Sequence, residues 1–306
     1  MKAKINIIAV AITVVFAVLI FSCESIMNAA DDSAKRAGDA GLIRQERADA
    51  ISASARTIGS AAEQITPEQE YYIGRAVAAN ILATYRIWNG NPALTTYLNN
   101  ICMAITINSP RPNIYKNYRV AILDSNEINA FATSGGHIFV TRGLLRAAKS
   151  EDALAAVIAH EVAHIQLKHG IKAIRSSRIN QALADVSATA IGNATGMNVS
   201  QLTSVFNESV GDIMRTMVNS GYSHVQEYEA DNMALTLLAS AGYNPLGLVE
   251  ILQELRKAQS RNSGFGKTHP SPAVRITSAE RNAGYLRVTD NSASRRTRFT
   301  TATRTR

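Results

Sequence analysis

Apolar positions change their period several times along the chain, and each change marks an element. Ile5 to Phe21 form a nearly continuous apolar run, broken by Asn6 and Thr13. Small and polar residues dominate from 24 to 65, with Ile51, Ile58 and Ile65 at every seventh position, the thin stripe of a spacer helix. Thr66-Pro67-Glu68-Gln69 reads as a helix start. Thr66 caps, Pro67 suits a first turn that needs no N–H, and Gln69 returns the capping bond. The compact domain is expected to begin here, with helices near 67–88 and 93–107, punctuated by Asn91-Pro92 and Ser109-Pro110-Arg111-Pro112.

Alternation then takes over. Tyr118 to Leu123, 128–133 and 137–141 predict three strands, the last two joined by Ser134-Gly135-Gly136 as a hairpin turn. Helical period returns with a helix over 151–169, capped by Ser150, with Glu151 and Asp152 on its first turn and Gly170 at its end. Residues 177–221 are rich in Ala, Ser and Asn and hold no run of apolar residues long enough to span a bilayer. Helices follow near 225–241 and 245–259, then a polar loop over 260–271 and a last short helix near 272–284. The predicted class is α+β: mostly helical, with a small sheet packed among the helices.

Composition narrows the function classes. The 306 residues are 46% hydrophobic and 18% charged, enough for a large core and unlike a disordered chain or a coiled coil. The net charge of +8 is unevenly placed. Residues 287–306 hold six arginines against one acid, Asp290, while Lys2 and Lys4 precede the apolar run. The body between is near neutral, so no nucleic-acid partner is expected, and 286–306 reads as a basic, disordered tail.

Lys2, Lys4, the apolar run and Ser22-Cys23 describe a secretory signal over 1–22. Ile20-Phe21-Ser22-Cys23 resembles a bacterial lipobox, which makes Cys23 the lipid acceptor and 23–65 a spacer; an uncleaved membrane anchor is the alternative. Either places the body outside the cytoplasm, at a membrane facing the periplasm, and Glu24 rather than Asp favours the outer membrane. The two cysteines exclude a disulfide framework, and Cys102, among Ile101, Met103 and Ile105, reads as an inert buried thiol.

The chemistry lies at His160-Glu161-Val162-Ala163-His164. On a helix the two histidines project within about 40° of each other, so their imidazoles can share a zinc ion, while Leu154, Ile158, Val162 and Ile165 form a stripe nearly opposite. Glu161 lies on a flank, where its carboxylate can reach a water without being a ligand. Leu167 and Gly170 occupy the positions where a metzincin needs Gly and His, which excludes that class. By the same phase His169 points elsewhere, toward the helix-end carbonyls. A third ligand must come from a distant segment, and Glu227-Tyr228-Glu229-Ala230-Asp231 is the best candidate. Its helical phase turns Glu227 inward with Asp231, which can orient a ligating histidine, and turns Glu229 toward solvent.

These pieces resemble the HtpX-, BepA- and LoiP-type zinc metallopeptidases, a gluzincin family that includes the CAAX prenyl endopeptidases. The resemblance runs, in order, through Asn129-Ala130-Phe131-Ala132, Gly135-Gly136, His160 to His164, Glu227 to Asp231, and His269-Pro270 with Arg275. It implies a zincin-like domain over 66–285 whose small sheet flanks the active-site helix. It further implies one Zn2+ per chain on His160, His164 and Glu227, with Glu161 as catalytic base. His269 and Arg275 are candidate oxyanion donors, and His269 a candidate fourth ligand that holds the site latent. Asn129, Ala130, Phe131 and Ala132 are expected to form an edge strand that pairs with extended substrate. The expected activity is a membrane-tethered endopeptidase for misfolded or unassembled envelope proteins. The alternative is a chaperone or assembly factor for outer-membrane proteins with a latent protease site.

Overall fold

The computed structural model describes residues 65–174, 199–258, 269, 272–286 and 292–304. The compact unit that holds nearly all of them spans 67–175 and 197–306. The expected signal segment, Cys23, nearly all of the spacer and residues 177–198 lie outside the described residues.

Helix α1 (Pro67–Thr84) starts at the expected proline, and α2 (Pro92–Thr106) is capped by Asn91, whose side chain accepts from the Leu94 amide at 3.0 Å. Strands β1 (Arg119–Leu123), β2 (Ala130–Thr133) and β3 (His137–Thr141) form one sheet in the order β1-β3-β2. β3 is central, parallel to β1 and antiparallel to β2, with Phe131 opposite Phe139. The turn between β2 and β3 needs left-handed backbone at both Gly135 (φ 82°) and Gly136 (φ 96°). β2 is an edge strand in that order, as expected, although all four of its residues are buried.

After α3 (Arg142–Ala147) comes the central helix, α4 (Glu151–Gln166). The Ser150 side chain accepts from the Ala153 amide at 3.0 Å, and Glu151 and Asp152 sit on the positive end of the helix. The one-sided apolar stripe understates the burial: every residue of α4 except Asp152 is buried. Ala153, Ala155, Ala156, Ala159 and Ala163 are fully buried, and their small side chains admit neighbours on all sides. Those neighbours are α2, β2, α7 (His224–Ser240), α8 (Leu246–Ala258) and α10 (Ser292–Ala302). The short α5 (His169–Lys172), α6 (Val199–Met214) with a π-helical segment to Ser220, and α9 (Pro272–Ala283) complete the described elements. Helices make up most of the described residues and the sheet is small, the α+β class predicted.

The tail reading needs correction. Residues 292–302 form a helix, and its arginines meet acids at the N-terminus of α4. Arg295 Nε lies 2.9 Å from Asp152 Oδ1, and Arg298 Nη2 lies 2.5 Å from Glu151 Oε1. Charge counted along the sequence could not see that these cations have acidic partners, of which Glu151 is buried. Among the described residues, no helix is long and apolar enough to cross a membrane.

Candidate metal centre

α4 presents His160 and His164 one turn apart, both buried, with their Nε2 atoms 3.1 Å apart. α7 brings Glu227 against them. Its Oε2 lies 3.6 Å from His160 Nε2 and its Oε1 lies 3.5 Å from His164 Nε2. The local fold fixes this approach through a capping box: Ser223 accepts from the Gln226 amide while Gln226 returns a bond to the Ser223 amide, which starts α7 one turn before Glu227. His160 Nδ1 is 3.0 Å from Asp231 Oδ1. A carboxylate only accepts, so His160 donates from Nδ1 and turns Nε2 toward His164 and Glu227. Burial depresses the His164 pKa far below the imidazole norm, more than Glu227 raises it, which favours the neutral ring.

Ring nitrogens and a carboxylate thus converge in a buried space, an arrangement that a cation stabilises. Ligands about 2.0–2.2 Å from a tetrahedral ion sit roughly 3.3–3.5 Å from one another, and the separations of 3.1, 3.5 and 3.6 Å fit that spacing. One donor atom from each of His160, His164, Glu227 and His269 lies within 4.8 Å of the others, and all four residues are buried. The nitrogen and oxygen donor set is the kind that zinc takes.

His269 enters from the segment before α9. Its Nδ1 is 2.8 Å from Glu227 Oε1 and its Nε2 is 3.8 Å from Glu161 Oε1. Burial lowers its pKa, but the two carboxylates outweigh burial and leave it raised. Glu161 is buried beside this ring, and its Oε1 has no hydrogen-bond partner among the described residues. Burial raises its pKa against the opposing pull of His269 and His160. Arg275 is placed otherwise than expected. Its Nε and Nη2 each donate to Asp231 at 2.7 Å, and Nη1 lies 2.6 Å from Glu227 Oε2. The guanidinium is committed to two buried carboxylates and holds them in place, rather than standing ready for an oxyanion. Burial favours neutral carboxyls at both, yet Arg275, with His269 at Glu227 and His160 at Asp231, holds their pKa values low.

Two further departures lie behind His164. His169 is fully buried and does not face the helix-end carbonyls: its Nδ1 is 2.9 Å from His164 Nδ1. Glu229 is not a solvated charge, for its Oε2 lies 3.1 Å from His169 Nε2. Both expectations assumed unbroken helical phase. α4 ends at Gln166, Lys168 takes a left-handed φ of 56°, and α5 begins at His169, so the chain turns His169 back beneath His164. Tyr222, not singled out in the sequence, stacks on His164 with ring centroids 4.2 Å apart. No spacing signal pointed to it. His224 is exposed at the start of α7. Asn129 is buried before β2, and its side chain accepts from the Ala130 amide at 2.9 Å.

Residues 92–283, well over half of the chain, match Peptidase family M48. The chain belongs to peptidase family M48. A beta-barrel assembly-enhancing protease of Escherichia coli O157:H7 is 25% identical over 231 residues, which cover 74% of this chain and 46% of that protein. Metalloprotease LoiP of Escherichia coli K12 is 32% identical over 160 residues, 52% of this chain and 59% of its own length. Mitochondrial metalloendopeptidase OMA1 of Schizosaccharomyces pombe is 32% identical over 159 residues, 50% of this chain and 42% of its own. The M48 chain thus spans about half the length of these curated relatives. The matched stretch carries His160, Glu161, His164, Glu227, Asp231, His269 and Arg275.

Proposed function

We propose that this M48 chain is a zinc-dependent endopeptidase of the bacterial cell envelope. The observation that carries this reading is the convergence of His160, His164 and Glu227 beside a buried Glu161. These three residues would hold one Zn2+, with His269 as a candidate fourth ligand. Zinc, when bound, acidifies water and polarises the scissile carbonyl. Glu161 takes the proton from the attacking water and delivers it to the leaving amine. Its raised pKa suits both halves of that task. Asp231 holds the His160 tautomer, and Arg275 fixes Asp231 and Glu227. With Arg275 so engaged, His269 is the remaining candidate to stabilise the developing oxyanion.

β2 supports an extended substrate. Antiparallel pairing alternates, and the Asn129–Thr141 bond sets the phase, so the backbone groups of Ala130 and Ala132 face away from β3, the Ala130 amide being held by the Asn129 side chain. Backbone pairing of this kind selects unfolded segments over particular side chains. Misfolded or unassembled envelope proteins are the proposed substrates, in line with a relative named for enhancing beta-barrel assembly. Cys23 is the proposed lipid anchor. Cys23→Ser should move the chain from the membrane to the soluble fraction, and retention in the membrane would refute lipid tethering.

The test is zinc content per chain together with casein degradation, with and without a chelator. Stoichiometric zinc and chelator-sensitive cleavage are expected. Glu161→Gln should retain zinc and lose cleavage by at least roughly a hundredfold. A second reading, an assembly factor with a latent protease site, is favoured by the contact of His269 with Glu227. That reading expects a Glu161→Gln chain to keep its full biological effect.

A further inference from the structure

Each histidine of the α4 pair is backed on the side away from the centre, but by different means. Asp231 takes the Nδ1 proton of His160 directly, at 3.0 Å. Behind His164 stands a second imidazole, His169, with a carboxylate beyond it: Nδ1 to Nδ1 is 2.9 Å, and His169 Nε2 to Glu229 Oε2 is 3.1 Å. The protons along this chain have one consistent arrangement. The Glu229 carboxylate only accepts, so His169 carries a proton on Nε2 and, as a neutral ring, a lone pair on Nδ1. That lone pair can only receive, so His164 donates from its own Nδ1. The remaining lone pair of His164 is then at Nε2, which faces His160 and Glu227.

We propose that His169 and Glu229 are positioning residues that fix the tautomer and ring orientation of His164 through a two-bond relay, the counterpart of Asp231 behind His160. The relay begins from different elements: His169 opens α5 and Glu229 lies on α7 two residues after Glu227. α7 therefore supplies the centre from three positions. Glu227 approaches it, Asp231 supports one imidazole, and Glu229 supports the other through His169. Tyr222 stacked on His164 limits the ring from its face, while the relay fixes it from its edge. His169 is fully buried and the Glu229 side chain is 17% exposed, so a carboxylate near the surface acts through a ring that water does not reach.

This inference rests on the zinc reading for its consequence but not for its geometry. The test uses the full chain with zinc alone as the probe. Zinc affinity is measured by competition with a chromophoric chelator, and the tautomers of His164 and His169 by imidazole 15N spectra of the metal-free protein. Glu229→Ala should weaken zinc binding roughly 10- to 100-fold, the usual effect of losing an outer-shell partner. Glu229→Gln should recover part of that loss, because its amide oxygen still accepts from His169. The metal-free unfolding midpoint should stay near that of the wild type in Glu229→Gln, which keeps an acceptor for His169, and fall in Glu229→Ala, which leaves that buried donor unpaired. His169→Ala should resemble Glu229→Ala, and if it does not fold, the Glu229 pair decides. Unchanged affinity in Glu229→Ala, no recovery in Glu229→Gln, or a His164 proton on Nε2 in the wild type would each overturn the relay. If the wild type binds no zinc, it is the endopeptidase reading that fails, and the metal-free tautomers still decide the relay.

Discussion

Arg275 lies behind the centre, where one buried cation serves two buried carboxylates. It bonds Asp231 through two nitrogens and approaches Glu227 with the third. Removing the cation leaves two carboxylates uncompensated away from water. Arg275→Ala should therefore destabilise the metal-free protein by about 3–5 kcal/mol, measured by urea unfolding, with Arg275→Lys only partly restoring it because an ammonium lacks the planar fork. A loss under about 1 kcal/mol would mean the cluster relaxes or takes in water. Cys102 is the opposite case, a group whose surroundings keep it inactive. Burial raises its thiol pKa to about 12, in line with the inert thiol that its apolar neighbours suggested. Residue chemistry was legible where partners lie within one helical turn: His160 with His164, and Glu227 with Asp231. It was not legible at His169 and Glu229, whose meeting depends on the left-handed Lys168 between α4 and α5.

Among elements, the junction of α1 with the β2–β3 turn has the least tolerance. A Cβ on Gly74 would lie 1.3 Å from the backbone oxygen of Ser134, and one on Gly135 would lie 2.5 Å from Tyr71 Cα. Gly74→Ala must push α1 off the turn, because neither contact is with a flexible side chain. A loss of about 1–3 kcal/mol or more is expected in thermal or urea unfolding, although alanine is the better helix former. Unchanged stability would show that α1 is not seated where the structure has it. Helix starts followed the sequence closely, since caps and prolines are local: Ser150, Asn91 and Pro272 stand where α4, α2 and α9 begin, whereas α1 and α4 end at Thr84 and Gln166, short of the expected 88 and 169. The helix that was missed, α10, has a charge pattern that reads as solvated until Asp152 and Glu151 are brought to it.

For the whole molecule, α10 ties the last residues of the chain to the start of the central helix, more than 140 positions earlier. Arg295 also donates to the Gly242 carbonyl at 3.1 Å, so the same helix secures the turn between α7 and α8. A chain ending at 291 should stay folded around the metal centre but exchange the amides of the first turns of α4 faster, read by hydrogen exchange. Equal protection in the truncated chain would reduce α10 to a bystander. Local spacing and capping along the chain determined the helix with its paired imidazoles, the inward phase of Glu227 and Asp231 on their own helix, and the hairpin, because each depends on residues a few positions apart; that Glu227 meets those imidazoles is tertiary. Tertiary structure alone decided that α4 is enclosed on all sides, that Arg275 serves two carboxylates, that His169 and Glu229 stand behind His164, and that the basic end of the chain is folded. The deciding partner lies tens of residues away in each case but His169, which is five residues from His164 and is turned back by the left-handed Lys168; helical phase has no meaning past such a break, nor charge at such range, until the chain has folded.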